Sequence, residues 1–309
     1  MENRKTKIIY YFALLAVVVL WGFDPIIIDG FLEYYSASAL SIVFTFSSLI
    51  FFLTISRTRL RELDRSFILR AVPICLINSV AMVIQRIGLQ YTTPSNYAFL
   101  EHLSCAAVPF AIFAFTGTCP SLKQILAVVI CISGCFIFTG GFDSNLGIGE
   151  FLCAMAGILV GISTVATGIY AKKLDTLLFN NVYLLVYFLT SLITAVLLNL
   201  IKINGEPLEN IRFSLSAIHL IPALLFGIVS IGLCWLLRTA AIKHVGSVTV
   251  AVVSPVSAVI TGVISLTMGK DNLSFGFIIG AFLILVSATV SSFLENSTEI
   301  KSKKQDFRA

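Results

Sequence analysis

The residues best suited to chemistry crowd into one stretch, QRIGLQYTTPSNYAFLEH, residues 85–102. It carries a base, an acid and an imidazole (Arg86, Glu101 and His102) between the apolar runs AVPICLINSVAMVI and LSCAAVPFAIFAF. A charge placed in hydrocarbon costs at least about 2.5–3.5 kcal/mol, so such groups need a partner or a task. If Thr93-Pro94 is the tip of a helical hairpin, Arg86 and Glu101 lie about seven or eight residues on either side of it. At a rise of about 1.5 Å per residue they then stand at similar depth on neighbouring antiparallel helices. Three readings follow: an ion pair that locks the two helices, a charged wall of a substrate cavity in which Glu101 exchanges protons or binds a cationic group, or snorkelling of the side chains to the surface.

Other residues extend this set. His102 follows Glu101 directly, so on a regular helix the two point about 100° apart and cannot both face one cavity squarely. Tyr97 shares a face with Glu101. Asp24 precedes Pro25, which should kink or break the first helix and expose backbone groups at membrane depth; alternatively Asp24 marks a wet helix end. Asn78 and Gln85 fall on one face of the third apolar segment beside Arg86, as substrate ligands or as glue between helices. Trp21 and Trp235 offer aromatic walls, with cation–π surfaces for an ammonium group, or plain packing. Arg238 lacks an acidic mate in its own neighbourhood and reads as snorkelling. Gly157 and Gly161 form a GxxxG spacing, the mark of close helix packing.

The elements that must position these residues follow from composition. Of 309 residues, 58% are hydrophobic and 12% charged, and the mean hydropathy is +0.97. Soluble domains carry roughly a quarter charged residues, so the chain is an integral membrane protein. Ten apolar segments lie near 8–30, 37–56, 67–90, 96–116, 121–140, 149–171, 177–201, 218–241, 247–268 and 273–294. Most reach the roughly 20 residues a spanning helix needs, and none alternates like a barrel strand. The fold class is therefore an all-α polytopic membrane protein with ten transmembrane helices.

Among the Lys and Arg residues, only Lys202, Arg212 and Lys270 fall on outer loops if the N-terminus is cytoplasmic, with Arg86 and Arg238 inside helices. The positive-inside rule thus places both termini in the cytoplasm, with tails at 1–7 and 295–309. The net charge of +5 reflects this topology and gives no reason to expect nucleic acid. Seven cysteines without a CxxC pair read as small apolar residues in or beside helices, and no metal or cofactor is expected.

Shifting the sequence so that Arg86 falls on Arg238 lays RIGLQYTTPSNYAFLEHLSCAAVPF over RTAAIKHVGSVTVAVVSPVSAVITG. A buried Arg, a short polar loop and a small-residue helix recur in order, with Val253 opposite Glu101. Five helices per half is an odd number, so the second half enters from the opposite side as an inverted repeat. The predicted halves are 8–140 and 149–294.

These stretches carry a resemblance. Trp21-Gly22 resembles the opening WG of an EamA domain; GLQYTTPSNYAFL at 88–100 and SVTVAVVSPVSAVITGVISLTMG at 247–269 resemble the matching hairpin segments of its two copies. The chain, over about 8–294, is similar to members of the drug/metabolite transporter superfamily with two EamA domains. That resemblance implies export of amino acids or other small metabolites, or import of solutes with protons. It also implies a Glu after the Gly that ends helix four or nine, where Thr118 and Lys270 stand instead.

The expected function is a secondary transporter of a small amino-acid-like metabolite, working by alternating access in the plasma membrane, as a monomer or homodimer among lipids. No Walker A loop is present to drive it with ATP. Proton-coupled import of a cationic solute is the alternative within transport. An enzyme is not expected, since HExxH, GxSG and GxGD motifs are missing; a structural or lipid-handling protein would have little use for buried charge.

Overall fold

The computed structural model describes residues 4–119, 121–138, 147–170, 175–203, 206–270 and 274–289 except 284 and 288. The predicted tail 295–309 and the ends of both predicted repeats lie outside the described residues. The chain is helical almost throughout. α1 spans Arg4–Leu32, α2 Ala37–Ile55, α3 Arg65–Leu89, α4 Pro94–Glu101, α5 Ser104–Thr116, α6 Leu122–Phe138, α7 Ile148–Tyr170 and α8 Thr176–Leu200. α9 (Ala217–Phe226) continues through a π-helical segment, Gly227–Cys234, into α10 (Trp235–Val245), and α11 (Ser247–Val253) precedes α12 (Pro255–Thr267).

Eight spans are long and apolar enough to cross a membrane among the described residues; α4–α5, α9–α10 and α11–α12 each count as one. Of the ten predicted segments, the other two appear as shorter helices, α6 with 17 residues and an apolar helix over Phe275–Ser287. α1 begins at Arg4, so part of the predicted tail is helix.

Short polar residues start these helices by binding otherwise unpaired N–H groups. The Asp64 carboxylate accepts from Phe67 N at 2.5 Å and Asp175 from Leu177 N and Leu178 N at 3.0 Å. Thr93 accepts from Asn96 N at 3.3 Å, with Pro94 in the first turn, where its missing N–H costs nothing. This confirms Thr93-Pro94 as the tip between α3 and α4.

Two helix pairs are broken where one helix each was expected. Between α4 and α5, Cys105 N bonds to His102 O and Ala106 N to Leu103 O, each at 3.0 Å, which tightens the chain into a turn at 102–103. Between α11 and α12 the break falls at Ser254, because Pro255 has no N–H to give the Ala251 carbonyl. That carbonyl instead accepts from the Cys105 thiol at 2.9 Å, which ties the second break to the first. On the repeat register His102 and Leu103 match Ser254 and Pro255, so both breaks occupy the same place in the two repeats.

α7 makes room for the first break. A Cβ on Gly157 would sit 2.6 Å from the Leu100 carbonyl oxygen and 2.8 Å from that of Glu101, and one on Gly161 would sit 2.5 Å from that of Ser104. The GxxxG spacing therefore lets α7 lie directly on the backbone of the broken helix. The expectation for α1 is corrected: Pro25 lies inside a continuous helix. In the turn that Pro25 loosens, next to the Trp21 carbonyl that it deprives of a donor, the Thr261 hydroxyl of α12 donates to the Gly22 carbonyl at 2.7 Å and braces the helix.

The two ends of the bundle close differently. At the Arg4 end of α1, Leu14 and Val18 pack with Ala241, Ile242 and Val250 in a dry apolar cluster. At the Leu32 end, Lys270 pairs with Asp29, and the 206–216 segment lies over the α1–α2 corner. There Arg212 donates to the Leu32 carbonyl at 3.0 Å and the Glu33 carbonyl at 3.3 Å, and Glu209 accepts from the Ser38 hydroxyl. A vestibule of about 540 Å³, lined by Asp29, Glu33, Glu209 and Arg212 among others, opens at this end.

Candidate functional site

A cavity of about 50 Å³ lies between the two breaks, bounded by α1, α3, α4, α7, the π-helical segment, α10 and the start of α12. Eight of the nine candidate residues line it: Trp21, Asp24, Gln85, Arg86, Tyr97, Glu101, His102 and Trp235. Asn78 does not. Its side-chain oxygen accepts from Ser163 of α7 at 2.9 Å, so it acts as glue between α3 and α7.

Glu101 and His102 both face the cavity although they are adjacent. The expectation that they diverge holds for a regular helix; the turn at 102–103 removes that constraint. His102 is buried, with Nε2 3.3 Å from the Ser257 hydroxyl of α12, so this contact also spans the two repeats.

Arg86 and Glu101 do not form an ion pair. Arg86 turns toward α2, donating to the Ser41 hydroxyl at 3.3 Å with its guanidinium 4.9 Å from the centre of the Phe44 ring. The cation whose charge acts on Glu101 is Arg238, while the charge of Arg86 acts on Asp24. The first attraction crosses between the repeats, while the second stays within the first repeat. Arg238 is correspondingly not a snorkelling residue. It is 6% exposed, lines the cavity, donates to the Thr164 hydroxyl at 2.6 Å and stacks over Trp235 at 4.8 Å. The signal for it was present in the repeat, which lays Arg238 on Arg86. It was outweighed because the matching acid is Val253, whereas the acid that serves it comes from the other half.

Asp24 is a cavity residue and not a wet helix end. Its carboxylate accepts from the Ser230 hydroxyl, which the π-helical segment presents. Such widened turns recur at functional sites because they redirect a side chain within a continuous helix. Ser230, Ser254 and Ser257 were not among the sequence candidates, since a serine in an apolar run carries no pattern of its own. Trp21 and Trp235 stand together, ring centres 5.4 Å apart. The cysteines agree with their reading as packing residues where described: Cys75, Cys105, Cys153 and Cys234 are buried, and Cys119 is exposed. The side chains of Cys131 and Cys135 lie outside the described residues.

Two broken helices facing one another around charged residues are an arrangement that secondary transporters use to bind solutes. The model of the EamA-like transporter family matches the chain twice, over residues 8–140 and 147–293. The chain belongs to this family. Membership points to a multi-pass membrane transporter of small solutes, with the two EamA repeats supplying one broken helix each. A solved structure titled "Crystal structure of protein" shares the fold, with a TM-score of 0.67 at 13% identity, covering 96% of this chain and 100% of that one. No curated protein matches the chain in sequence.

Proposed function

We propose that this EamA-like protein is a secondary transporter that exports a small amino-acid-like metabolite across the plasma membrane by alternating access. Ten helices in two inverted repeats, with both termini cytoplasmic, would carry it. The observation that supports this reading is the cavity itself. Opposite charges from both repeats, Asp24 and Glu101 with Arg86 and Arg238, meet where the two helix breaks face each other. At about 30 Å³ per water the cavity has room for one or two waters. An amino-acid-sized solute therefore requires the broken helices to part, and alternating opening at the two ends supplies that motion.

A proton moving down a 100 mV potential supplies about 2.3 kcal/mol, and Glu101 is the group proposed to carry it. The alternative, import of a cationic solute against the tryptophans, is less well supported. Arg238 already lies against Trp235, and a second cation there meets repulsion as well as the attraction of Asp24 and Glu101.

The test is proton flux in proteoliposomes that contain a pH-sensitive dye, with pools of amino acids, amines and nucleoside-like metabolites added outside. Flux with one pool that disappears in Glu101→Gln supports proton-coupled transport. Silence in this assay and in radiolabelled counterflow with every pool would sink the transport reading.

A further inference from the structure

Around Arg86, where α2, α3 and α8 meet beside the cavity, two buried donors, Arg86 Nε and Tyr183 Oη, have no hydrogen-bond partner. Next to them Gln85 has the Glu101 carboxylate within reach and Tyr187 the Ser41 hydroxyl. Each residue is at most 3% exposed. A buried polar atom left unpaired is costly, so these two, side by side, call for an explanation. Tyr183 and Tyr187 stand one turn apart on α8, on the face that packs against α2 and α3. The charge of Arg86 reaches both tyrosines, and that of Arg238 reaches Tyr183. The Tyr183 ring lies 5.1 Å from Trp235 and 5.7 Å from Tyr187, so the tyrosines bridge the surroundings of the two arginines.

The chemistry of this group is one-sided. Arg86 Nε only donates, both phenols can donate, and the Gln85 amide adds two N–H groups. What Arg86 Nε and Tyr183 Oη lack is an acceptor, and one group with several lone pairs and a negative charge, a carboxylate, serves both at once. A carboxylate alone would unbalance a site in which two arginines face two acids. A zwitterion adds no net charge, and its ammonium group meets Asp24 and Glu101.

We propose that Tyr183 and Tyr187, with Gln85 and Arg86, form the carboxylate end of the solute site, entered when the broken helices part. This rests on the transporter reading above and adds the orientation of the solute and the residues that select it. The ester or amine counterpart of the solute leaves these donors unpaired and is rejected.

The chain has two tryptophans, and both line the cavity, so intrinsic fluorescence reports on this site directly. Purified protein in nanodiscs is titrated with L-amino acids, their methyl esters and their decarboxylated amines. The expected result is an emission change in which at least one free acid binds about tenfold or more tighter than its ester and amine. In Tyr183→Phe/Tyr187→Phe the preference shrinks to within about threefold. Arg86→Lys reports the same loss if the tyrosine variant does not fold. Equal binding of acid, ester and amine, preference retained in the variants, or no response to any acid overturns the proposal. Flux of the same compounds in proteoliposomes separates the two readings. Transport without carboxylate preference overturns this inference alone, whereas selective binding without flux or counterflow sinks transport and leaves the carboxylate site standing.

Discussion

Arg86 and Arg238 occupy matching places in the two repeats, yet their settings differ. Arg86 ends a regular α3 and makes one long bond to Ser41, with its Nε unpaired. Arg238 follows the π-helical segment, makes a 2.6 Å bond to Thr164 and covers an indole face. The acids are as unequal: Asp24 and Glu101 both come from the first repeat, and Val253 stands where a second Glu101 would be. The two repeats thus share a frame of breaks and arginines but hold Arg238 in place while leaving Arg86 with an unused donor. On this comparison Arg238 is a structural partner of Glu101, and Arg86 is the arginine that the proposed solute site would use.

The largest expected effect tests the acid that has no twin. Glu101→Gln should reduce proteoliposome transport by at least about tenfold, or ~1.4 kcal/mol, with an unchanged gel-filtration profile. Wild-type rates would remove Glu101 from the mechanism, and loss of folded protein would reassign it to holding Arg238. Next is the packing that positions the first break. Gly157→Ala drives a methyl group into the Leu100 and Glu101 carbonyls, and thermal unfolding in detergent should show a loss of about 1–3 kcal/mol.

The arginines themselves can be set against each other. Arg238→Lys forfeits the stacked, short-bonded guanidinium and should destabilise the protein by about 1–2 kcal/mol, whereas Arg86→Lys should leave the melting temperature close to wild type. Equal losses would erase the distinction drawn between them. The smallest effect is expected at Asn78. Asn78→Ala removes one bond between helices, worth about 0.6 kcal/mol, and should leave transport rates unchanged.

Much of this was legible in the sequence because hydrocarbon restricts the options. Apolar length located the spans, Thr93-Pro94 marked a helix start, and ionisable, amide and tryptophan side chains in apolar runs marked eight cavity residues. What escaped notice depends on contacts distant along the chain. Pairing Arg86 with Glu101 assumed that neighbours across a hairpin face each other, and the crossed attraction to Arg238 is a property of two repeats brought together. Pro25 and Pro255 look alike in sequence. The first is carried within a helix that Thr261 supports, while the second ends a helix whose freed carbonyl accepts from the Cys105 thiol. The turn at 102–103 contains no proline or glycine, so nothing local announced it.

The unequal ends of the bundle make opening sensitive to the electrolyte. The Leu32 end is held by the Asp29–Lys270 pair and by the contacts of Arg212 and Glu209, all near water, and at about 1 M salt the screening length falls to roughly 3 Å. The Leu14–Val250 cluster at the opposite end is uncharged and tightened by salts that strengthen apolar burial, although the Arg59–Asp175 pair at that end is screened like those at the other. On the alternating-access reading proposed above, high ionic strength weakens ion pairs at both mouths but strengthens the apolar seal at only one, so the salinity of the surroundings acts as a bias on which way the protein faces.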